Sequence, residues 1–251
     1  MKIVTFNVRM EHVKDGPYRF ENRKNDIVRK IREEQPSVIC FQEVWPAMYD
    51  FLEEKLPEYV FVGHGRDVDH RGEGVPIAFC RKSFAMKSME CFWLSHTPQI
   101  PGSRYPEDQG QCPRICVILT LYSREDKRCF RIVNTHLDVD GVLARKQGLE
   151  LIISRLKTLE KEADYPVMVM GDFNSTPEEE AIRAMTQNKE FYDVTTNMPC
   201  TFHGYHTTEK KIDYIFSTHN LRCSDCHIWE DYPGGIYLSD HYPVSCECAF
   251  L

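Results

Sequence analysis

Short apolar runs recur along this chain, and polar or turn-forming residues separate them. Runs of this kind, rich in Val, Ile and Phe, are typical of buried β-strands. The pattern predicts strands over residues 3–6, 38–41, 59–62, 75–81, 84–94, 115–122, 130–135, 167–170, 212–217, 221–229 and 242–250.

Other segments carry apolar residues at helical spacing among charges. Residues 21–34 place Ile27, Val28 and Ile31 on one face, and Pro36 ends that helix. Further helices are predicted over residues 46–56 and 142–162, and from Pro177 onward, because proline is tolerated at a helix start. Residues 63–73, 95–113 and 187–210 are polar and predicted to be irregular.

Strands outnumber helices, and helices separate only some of them. This order predicts an α+β fold, in which two mixed β-sheets pack face to face with helices outside. The 251 residues, 42% of them hydrophobic, suffice for one sizeable core. No internal repeat, linker or low-complexity stretch divides the chain, so we expect a single domain over residues 1–251.

Charge and cysteine content narrow the classes of function. The net charge of -7 allows a nucleic-acid substrate only through a local basic patch. The eleven cysteines are odd in number and several lie in apolar runs, so we expect reduced thiols in a cytoplasmic protein.

No apolar stretch approaches membrane-spanning length, and the N-terminal residues have a strand pattern rather than that of a signal peptide. We therefore expect no membrane association, and nothing implies an oligomer rather than a monomer.

Four polar strings stand in or beside apolar runs from the first strand to the last. They are Phe6-Asn7, Gln42-Glu43, Gly171-Asp172-Phe173-Asn174 and Ser239-Asp240-His241. Buried carboxylates are normally paired, protonated or bound to a cation, because burying a lone charge costs several kcal/mol or more. A hard divalent ion such as Mg²⁺ is the simplest common partner for their carboxylate and amide oxygens.

The same strings supply the parts that phosphoester hydrolysis needs. Asp172 and Asn174 are two residues apart, so in an extended chain both side chains leave one face. A carboxylate there could take a proton from water while the amide holds phosphate or metal. His241 could pair with Asp213, which would fix its tautomer, and His136 ends a strand as a further phosphate-contacting group.

Together these residues resemble the endonuclease/exonuclease/phosphatase superfamily. The motifs occur in that family's order over nearly the whole chain: Asn7, Gln42-Glu43, Asn134-Thr135-His136-Leu137, Gly171-Asp172-Phe173-Asn174, Ile212-Asp213-Tyr214 and Ser239-Asp240-His241. Within the superfamily, they are similar to the nocturnin and poly(A)-deadenylase branch and to small uncharacterised bacterial members.

The resemblance implies a four-layered αββα sandwich and phosphoester cleavage that depends on Mg²⁺ or Mn²⁺. It makes Glu43 the principal metal ligand, with Asn7 and Asp240 beside it. It assigns water activation and phosphate binding to Asp172 and Asn174. The remaining catalytic positions are His241, paired with Asp213, and His136, which would stabilise the transition state. 

Two further residues could serve the site or form ion pairs elsewhere. Arg114 could face the phosphate, and Glu73 could brace His136. The pairs Cys223/Cys226 and Cys246/Cys248 could bind structural zinc, but they lie in predicted strands without knuckle glycines, which favours free thiols.

The sequence thus predicts a metal-dependent phosphodiesterase or phosphatase that acts by attack of an activated water. A nuclease acting on RNA or DNA is the alternative, and a catalytically silent binding protein is the third hypothesis. The substrate, a small molecule or a nucleic acid, should be selected by loops 63–73, 95–113 and 195–211, because specificity in such folds lies in loops.

Overall fold

The computed structural model describes residues 1–232 and 237–251, and these residues form two sheets and four α-helices. The strands are β1 (Lys2–Asn7), β2 (Val38–Gln42), β3 (Tyr59–Val62), β4 (Ile77–Cys80), β5 (Phe84–Trp93), β6 (Ile115–Ser123), β7 (Cys129–His136), β8 (Val167–Asp172), β9 (Phe191–Asp193), β10 (Asp213–Thr218), β11 (Leu221–Ile228) and β12 (Val244–Phe250). The helices are α1 (Phe20–Glu34), α2 (Pro46–Lys55), α3 (Val142–Glu160) and α4 (Glu180–Gln187), and a short 3-10 helix spans Val13–Tyr18.

Each sheet has six strands and one parallel pair near its centre. The first sheet runs in the order β11-β12-β1-β2-β4-β3, and β1 is parallel to β2. The second sheet runs β5-β6-β7-β8-β10-β9, and β7 is parallel to β8. Helices α1 and α3 provide the crossovers that parallel neighbours require. The two central pairs face each other, so four strand ends meet in one region.

Three apolar clusters hold the layers together. The cluster between the sheets includes Ile3 of β1 and Met170 of β8. Helices α1 and α2 cover the outer face of the first sheet, where Ile27 is buried. Helices α3 and α4 cover the second sheet, where Leu149 is buried. This confirms the predicted αββα sandwich.

Two buried amide side chains bridge the sheets beneath the strand ends. Gln42 Nε2 donates a hydrogen bond to Asn134 Oδ1 at 2.8 Å. Asn134 Nδ2 donates to the main-chain oxygens of Phe41, Val75 and Pro76 at 2.8, 3.0 and 3.1 Å. Asn134 therefore satisfies carbonyl groups of the opposite sheet that would otherwise be buried without partners.

Gly171 allows strands β7 and β8 to approach closely at the end of the second sheet. Its φ angle is +145°, and a Cβ at this position would lie 1.9 Å from the carbonyl oxygen of Thr135. Any other residue would displace main-chain atoms, and Asp172 would move with them. The glycine thus places the following carboxylate.

Three predicted features differ in the structure. Helix α4 begins at Glu180 rather than Pro177, because residues 177–179 form a turn. The segment 187–210 includes the short strand β9. The chain is not extended through Asn174, whose φ of 46° is left-handed. Gly, Asn and Asp tolerate this conformation better than other residues, and such residues often mark turns.

We predict that Asn134→Ala lowers the free energy of unfolding by about 2–4 kcal/mol, because several buried polar groups lose their partner together. Urea denaturation monitored by circular dichroism measures the effect. The control Asn25→Ala alters an exposed residue of α1 and should change stability by less than about 0.5 kcal/mol. Equal stability of the two variants would contradict a bridging role for Asn134.

Candidate active site

The strand ends form a pocket of about 470 Å³ at one edge of the sandwich. Asn7 and Glu43 come from the first sheet, at the ends of β1 and β2. His136 and Asp172 end β7 and β8, while Asp213 begins β10. The turn before β12 adds Asp240 and His241. The structure therefore brings the predicted motif residues of both sheets into one region.

Asp172 is the residue on which the polar contacts converge. Its Oδ2 accepts a hydrogen bond from Asn7 Nδ2 at 3.0 Å. The Nε2 atoms of His136 and His241 lie 3.4 and 3.7 Å from the same oxygen. Burial, and then the nearby charge of Asp213, raises the pKa of Asp172 to about 7. A carboxylate with this pKa can accept a proton near neutral pH.

His241 and Asp213 form the predicted pair. His241 Nδ1 lies 2.9 Å from Asp213 Oδ2, and both side chains are buried. Burial alone would lower the pKa of His241, but the carboxylates of Asp213, Asp172 and Asp240 raise it to about 10. His241 is therefore a cation at neutral pH, and its Nε2 is directed toward Asp172.

His136 lies on the opposite side of Asp172 and has a different charge. Burial, and then the positive charge of Arg114, lowers the pKa of His136 well below its usual value. Its Nδ1 is 3.5 Å from Glu73 Oε1, without hydrogen-bond geometry. Arg66 Nη1 donates to Glu73 Oε1 at 2.9 Å, and Arg66 Nη2 lies 2.8 Å from Oε2. The predicted contact of Glu73 with His136 is present, but Arg66 is the principal partner of Glu73.

Glu43 and Asp240 form an acidic pair on the first-sheet side of the pocket. Asn7 Nδ2 donates to Glu43 Oε1 at 3.1 Å, so one amide links Glu43 with Asp172. Arg9 lies against both acids, with its Nη1 3.9 Å from Glu43 Oε2 and its Nε 3.8 Å from Asp240 Oδ2. Burial, and then the charge of Glu43, raises the pKa of Asp240.

This donor set fits a hard divalent ion. Oxygen donors dominate it, and burial raises the pKa values of Asp172 and Asp240, so a cation would stabilise their charged forms. The ligand atoms of Asp172, Asp213 and His241 also lie within 4.8 Å of one another and could hold a metal. The hydrogen bond from His241 to Asp213 accounts for part of that proximity.

Asn174 reaches the pocket by a route that differs from the predicted one. Its main-chain N–H donates to Asp172 Oδ1 at 2.9 Å, and its Nδ2 donates to the carbonyl oxygen of Leu137 at 3.0 Å. The left-handed backbone, not an extended one, turns Asn174 back toward Asp172. Asn174 therefore lines the pocket and also orients the carboxylate.

Arg114 lies on the wall of the pocket and has an unpartnered nitrogen. Its Nε is 3.4 Å from Asp138 Oδ1, whereas its buried Nη1 has no hydrogen-bond partner among the described residues. Asp138 also accepts from the main-chain N–H groups of Gly110, Asp140 and Gly141 at 3.0, 3.1 and 2.8 Å. Asp138 therefore holds Arg114 in place, and Nη1 remains available to an anion.

The structure adds pocket residues that the sequence analysis did not identify. Arg9, Arg66, Arg145 and Lys210 supply positive charge at its walls, and Phe202 packs its ring 4.7 Å from the His241 ring. Arg9 and Lys210 had a local signal, because each lies two residues from a motif, in Asn7-Val8-Arg9 and Lys210-Lys211-Ile212. The others come from loops or from a helix, and only the fold brings them near Asp172.

The predicted role of loop 95–113 is not supported by its position. None of its described residues lines this pocket. The loop lies against α3 instead, where Asp108 accepts hydrogen bonds from the N–H groups of Leu143 and Ala144 at 2.8 and 2.9 Å. Loop 63–73 contributes Arg66 and Glu73, and loop 195–211 contributes Phe202 and Lys210.

No helix among the described residues is long and apolar enough to cross a membrane.

A polar pocket at the meeting ends of two packed mixed sheets, with paired acids and histidines, is the arrangement expected of the family that the motifs resemble. The family model for the endonuclease/exonuclease/phosphatase family matches residues 4–241. The chain therefore belongs to the endonuclease/exonuclease/phosphatase family, whose members are hydrolases of phosphoester bonds.

Solved structures and a curated relative agree with this membership. An endonuclease/exonuclease/phosphatase protein of Bacteroides vulgatus has a TM-score of 0.92 and 29% identity, covering 100% of this chain and 98% of its own. The mannosyl-6-phosphatase of Bacteroides thetaiotaomicron has a TM-score of 0.89 and 24% identity, covering 100% of both chains. Human nocturnin is 25% identical over 266 residues, which cover 92% of this chain but only 59% of nocturnin.

We predict that Asp138→Asn lowers the free energy of unfolding at pH 7 by about 1–3 kcal/mol, because charge-assisted hydrogen bonds are weakened. Burial would raise the pKa of Asp138, but the N–H groups of Gly110 and Gly141 and the charge of Arg114 lower it. A lowered folded-state pKa gives stability above the ordinary carboxyl pKa that is lost as pH falls through the folded value.

The difference between Asp138→Asn and the unmodified protein should therefore shrink below about pH 4. Urea denaturation across pH 2.5–7 (roughly the range in which carboxyl groups titrate) measures it. The control Asp164→Asn removes an exposed carboxylate and should leave the profile unchanged. A difference that is constant with pH would contradict this account.

Proposed function

We propose that this protein is a divalent-metal-dependent phosphoester hydrolase in which an activated water attacks phosphorus in the Asp172 pocket. The observation that carries the proposal is the convergence of Asp172, Asp240 and Glu43 at one pocket that also presents arginines. Asp213 is buried behind His241 and pairs with it at 2.9 Å. Acids suit a metal and a proton transfer, whereas arginines suit the phosphate oxygens.

Mg²⁺ or Mn²⁺ is the proposed cofactor, with Glu43 and Asp240 as carboxylate ligands and Asn7 beside them. When bound, such an ion neutralises charge on the phosphate oxygens and stabilises the leaving group. Asn7 supports this assignment by holding Glu43 and Asp172 through one amide group.

The proposed proton acceptor is Asp172. Its carboxylate is buried at the pocket, and the N–H of Asn174 orients it through a hydrogen bond of 2.9 Å, so it can accept a proton from a water in the pocket. His241 stays protonated through Asp213, so its Nε2–H can stabilise negative charge on the phosphoryl group. The neutral imidazole of His136 can donate one hydrogen bond to the same group.

The proposed phosphate-binding side chain is Arg114, with Arg66 as a second positive charge nearby. Arg114 Nη1 is buried, lies at the pocket and has no partner among the described residues. A buried guanidinium nitrogen without an acceptor is unfavourable, so a bound phosphate oxygen would stabilise it.

We infer that the substrate is a small phosphomonoester. A pocket of about 470 Å³ lies in the range of small-molecule sites, which is roughly 300–1,000 Å³. The net charge of -7 gives no general attraction to nucleic acid. The Bacteroides thetaiotaomicron protein of similar fold is named as a mannosyl-6-phosphatase, which supports a sugar phosphate as the first substrate to test.

A nuclease is the second candidate, because a Saccharomyces cerevisiae relative, 23% identical over 74% of this chain and 40% of its own length, is named a probable RNA exonuclease. Lys210 and Arg145 at the pocket walls could contact a neighbouring phosphate of a polynucleotide. A catalytically silent binding protein is the third candidate.

We also propose that the protein is a cytoplasmic monomer. Cell fractionation would test its compartment, and analytical ultracentrifugation would test its oligomeric state.

We predict that Glu43→Gln and Asp172→Asn each reduce kcat/KM on a small aryl phosphate by about 10²–10⁴-fold, because each removes a carboxylate on which metal binding or proton transfer depends. Chelation with EDTA should abolish activity, and Mg²⁺ or Mn²⁺ should restore it. The control Glu180→Gln, on an exposed side chain of α4, should retain activity. Full activity of both site variants, with or without chelator, would refute the proposal.

For the substrate class, we predict that kcat/KM on hexose phosphates exceeds that on single-stranded oligonucleotides by at least about tenfold, since a pocket of this size suits one small phosphorylated molecule. Raising salt from about 50 to 200 mM should change hexose phosphate turnover less than about twofold, because few counterions are released. Preference for oligonucleotides with a steep salt dependence would favour the nuclease instead.

A further inference from the structure

Three thiols cluster on the hairpin of β11 and β12, at the end of the sandwich opposite the pocket. Cys223, Cys246 and Cys248 have sulfur atoms that all lie within 4.8 Å of one another. Cys246 and Cys248 are buried in the cluster between the sheets, and Cys223 is partly exposed. None of them takes part in the proposed hydrolysis.

Strand register places Cys223 directly opposite Cys248 in the antiparallel ladder. The main chain of Cys248 bonds instead to Met1, which precedes β1: the N–H of Cys248 donates to the oxygen of Met1, and the oxygen of Cys248 accepts from the Met1 amine, both at 2.8 Å. Cys223 and Cys248 therefore form a non-hydrogen-bonded pair, in which Cα atoms are about 4.5 Å apart and side chains are closest. Disulfides span Cα separations of about 4.4–6.8 Å.

The sulfur distances favour a covalent bond over a metal site. Cys223 Sγ and Cys248 Sγ are 2.8 Å apart, and Cys246 Sγ is 3.3 Å from Cys248 Sγ. Four sulfurs around tetrahedral zinc at about 2.3 Å would lie about 3.8 Å from each other. Cys226, the fourth thiol of the hairpin, is outside the group. A bulge between Ser224 and His227 interrupts the register near it.

The surroundings of Cys223 suit it to be the attacking thiolate. The thiols of Cys246 and Cys248, and then the hydroxyl groups of Tyr192 and Ser217, favour its charged form and lower its pKa. Its partial exposure gives a small oxidant access that the buried Cys248 lacks. A thiolate that an oxidant can reach is the reactive partner in disulfide exchange.

We propose that Cys223 and Cys248 form a reversible cross-strand disulfide when the protein meets a small disulfide oxidant such as oxidised glutathione. The Cys223 thiolate attacks one glutathione sulfur, which breaks the glutathione S–S bond and releases one glutathione thiolate. The Cys248 thiol then loses its proton to solvent and attacks the Cys223 sulfur, releasing the second glutathione. Two cysteines are oxidised, and one glutathione disulfide is reduced to two thiols.

The bond would close a loop between β11 and β12 that includes the turn with Asp240 and His241. Cross-linking two residues 25 positions apart restricts the unfolded chain, so the oxidised protein should have the higher Tm. Hydrolysis should not change, since the thiols lie far from the Asp172 pocket.

The test compares the 251-residue protein in reduced and oxidised glutathione. We expect oxidation to lower the intact mass by about 2 Da, the two hydrogens lost. Peptide mapping should link the peptides of Cys223 and Cys248, and Tm should rise reversibly. Cys223→Ser and Cys248→Ser should abolish the link, whereas the matched control Cys246→Ser should retain it. Because the thermal comparison uses one protein in two states, it does not depend on the folding of any variant.

Two results would overturn the proposal. One is that glutathione disulfide leaves Cys223 and Cys248 unlinked, or links other cysteines, in a folded protein. The other is that the purified protein carries one equivalent of zinc that protects the three thiols from alkylation until a chelator removes it. That second result would identify the cluster as a metal site.

Discussion

The burial of several carboxylates at one point between two sheets is the constraint on which this structure depends. Asp172 and Asp213 face each other across β8 and β10, and each needs a positive or hydrogen-bonding partner to stay buried. His241 supplies a charge between them, and Asn7 supplies an amide from the other sheet. The site and the packing of the sheets are therefore one arrangement, because the partners of each acid come from both layers.

That arrangement requires accurate placement of the strand ends. The Gln42–Asn134 bridge fixes the separation of the sheets below the pocket, and the missing Cβ of Gly171 fixes that of β7 and β8. None of these three residues needs to touch a substrate. Their effect on chemistry is geometric: a shift of any of them would move Asp172 relative to His136 and Glu43, and pocket contacts depend on sub-ångström positions.

Local pattern was sufficient for the layers and for the polar residues at the strand ends, since an apolar run that ends in Asp, Glu, Asn or His indicates a buried strand with a polar end. It was not sufficient for Arg66, which pairs with Glu73 of the same loop, or for Arg145, which pairs with Glu179 of a distant segment. The backbone at Asn174 was also missed, because spacing of two predicts a shared face only in an extended chain. The predicted helix start at Pro177 was also wrong, because proline is tolerated in the first turn of a helix but does not require a helix to begin there.

The hydrogen bonds from α3 to Asp108 bear on how this protein could change during evolution. They join loop 95–113 to the first turn of α3, the helix that covers the second sheet. Substitutions in this loop therefore affect folding as well as the conformation of the loop. Loops 63–73 and 195–211 reach the pocket. New substrate preferences should therefore arise more readily in those two loops, because a substitution in the loop 95–113 between them would also disturb the first turn of α3.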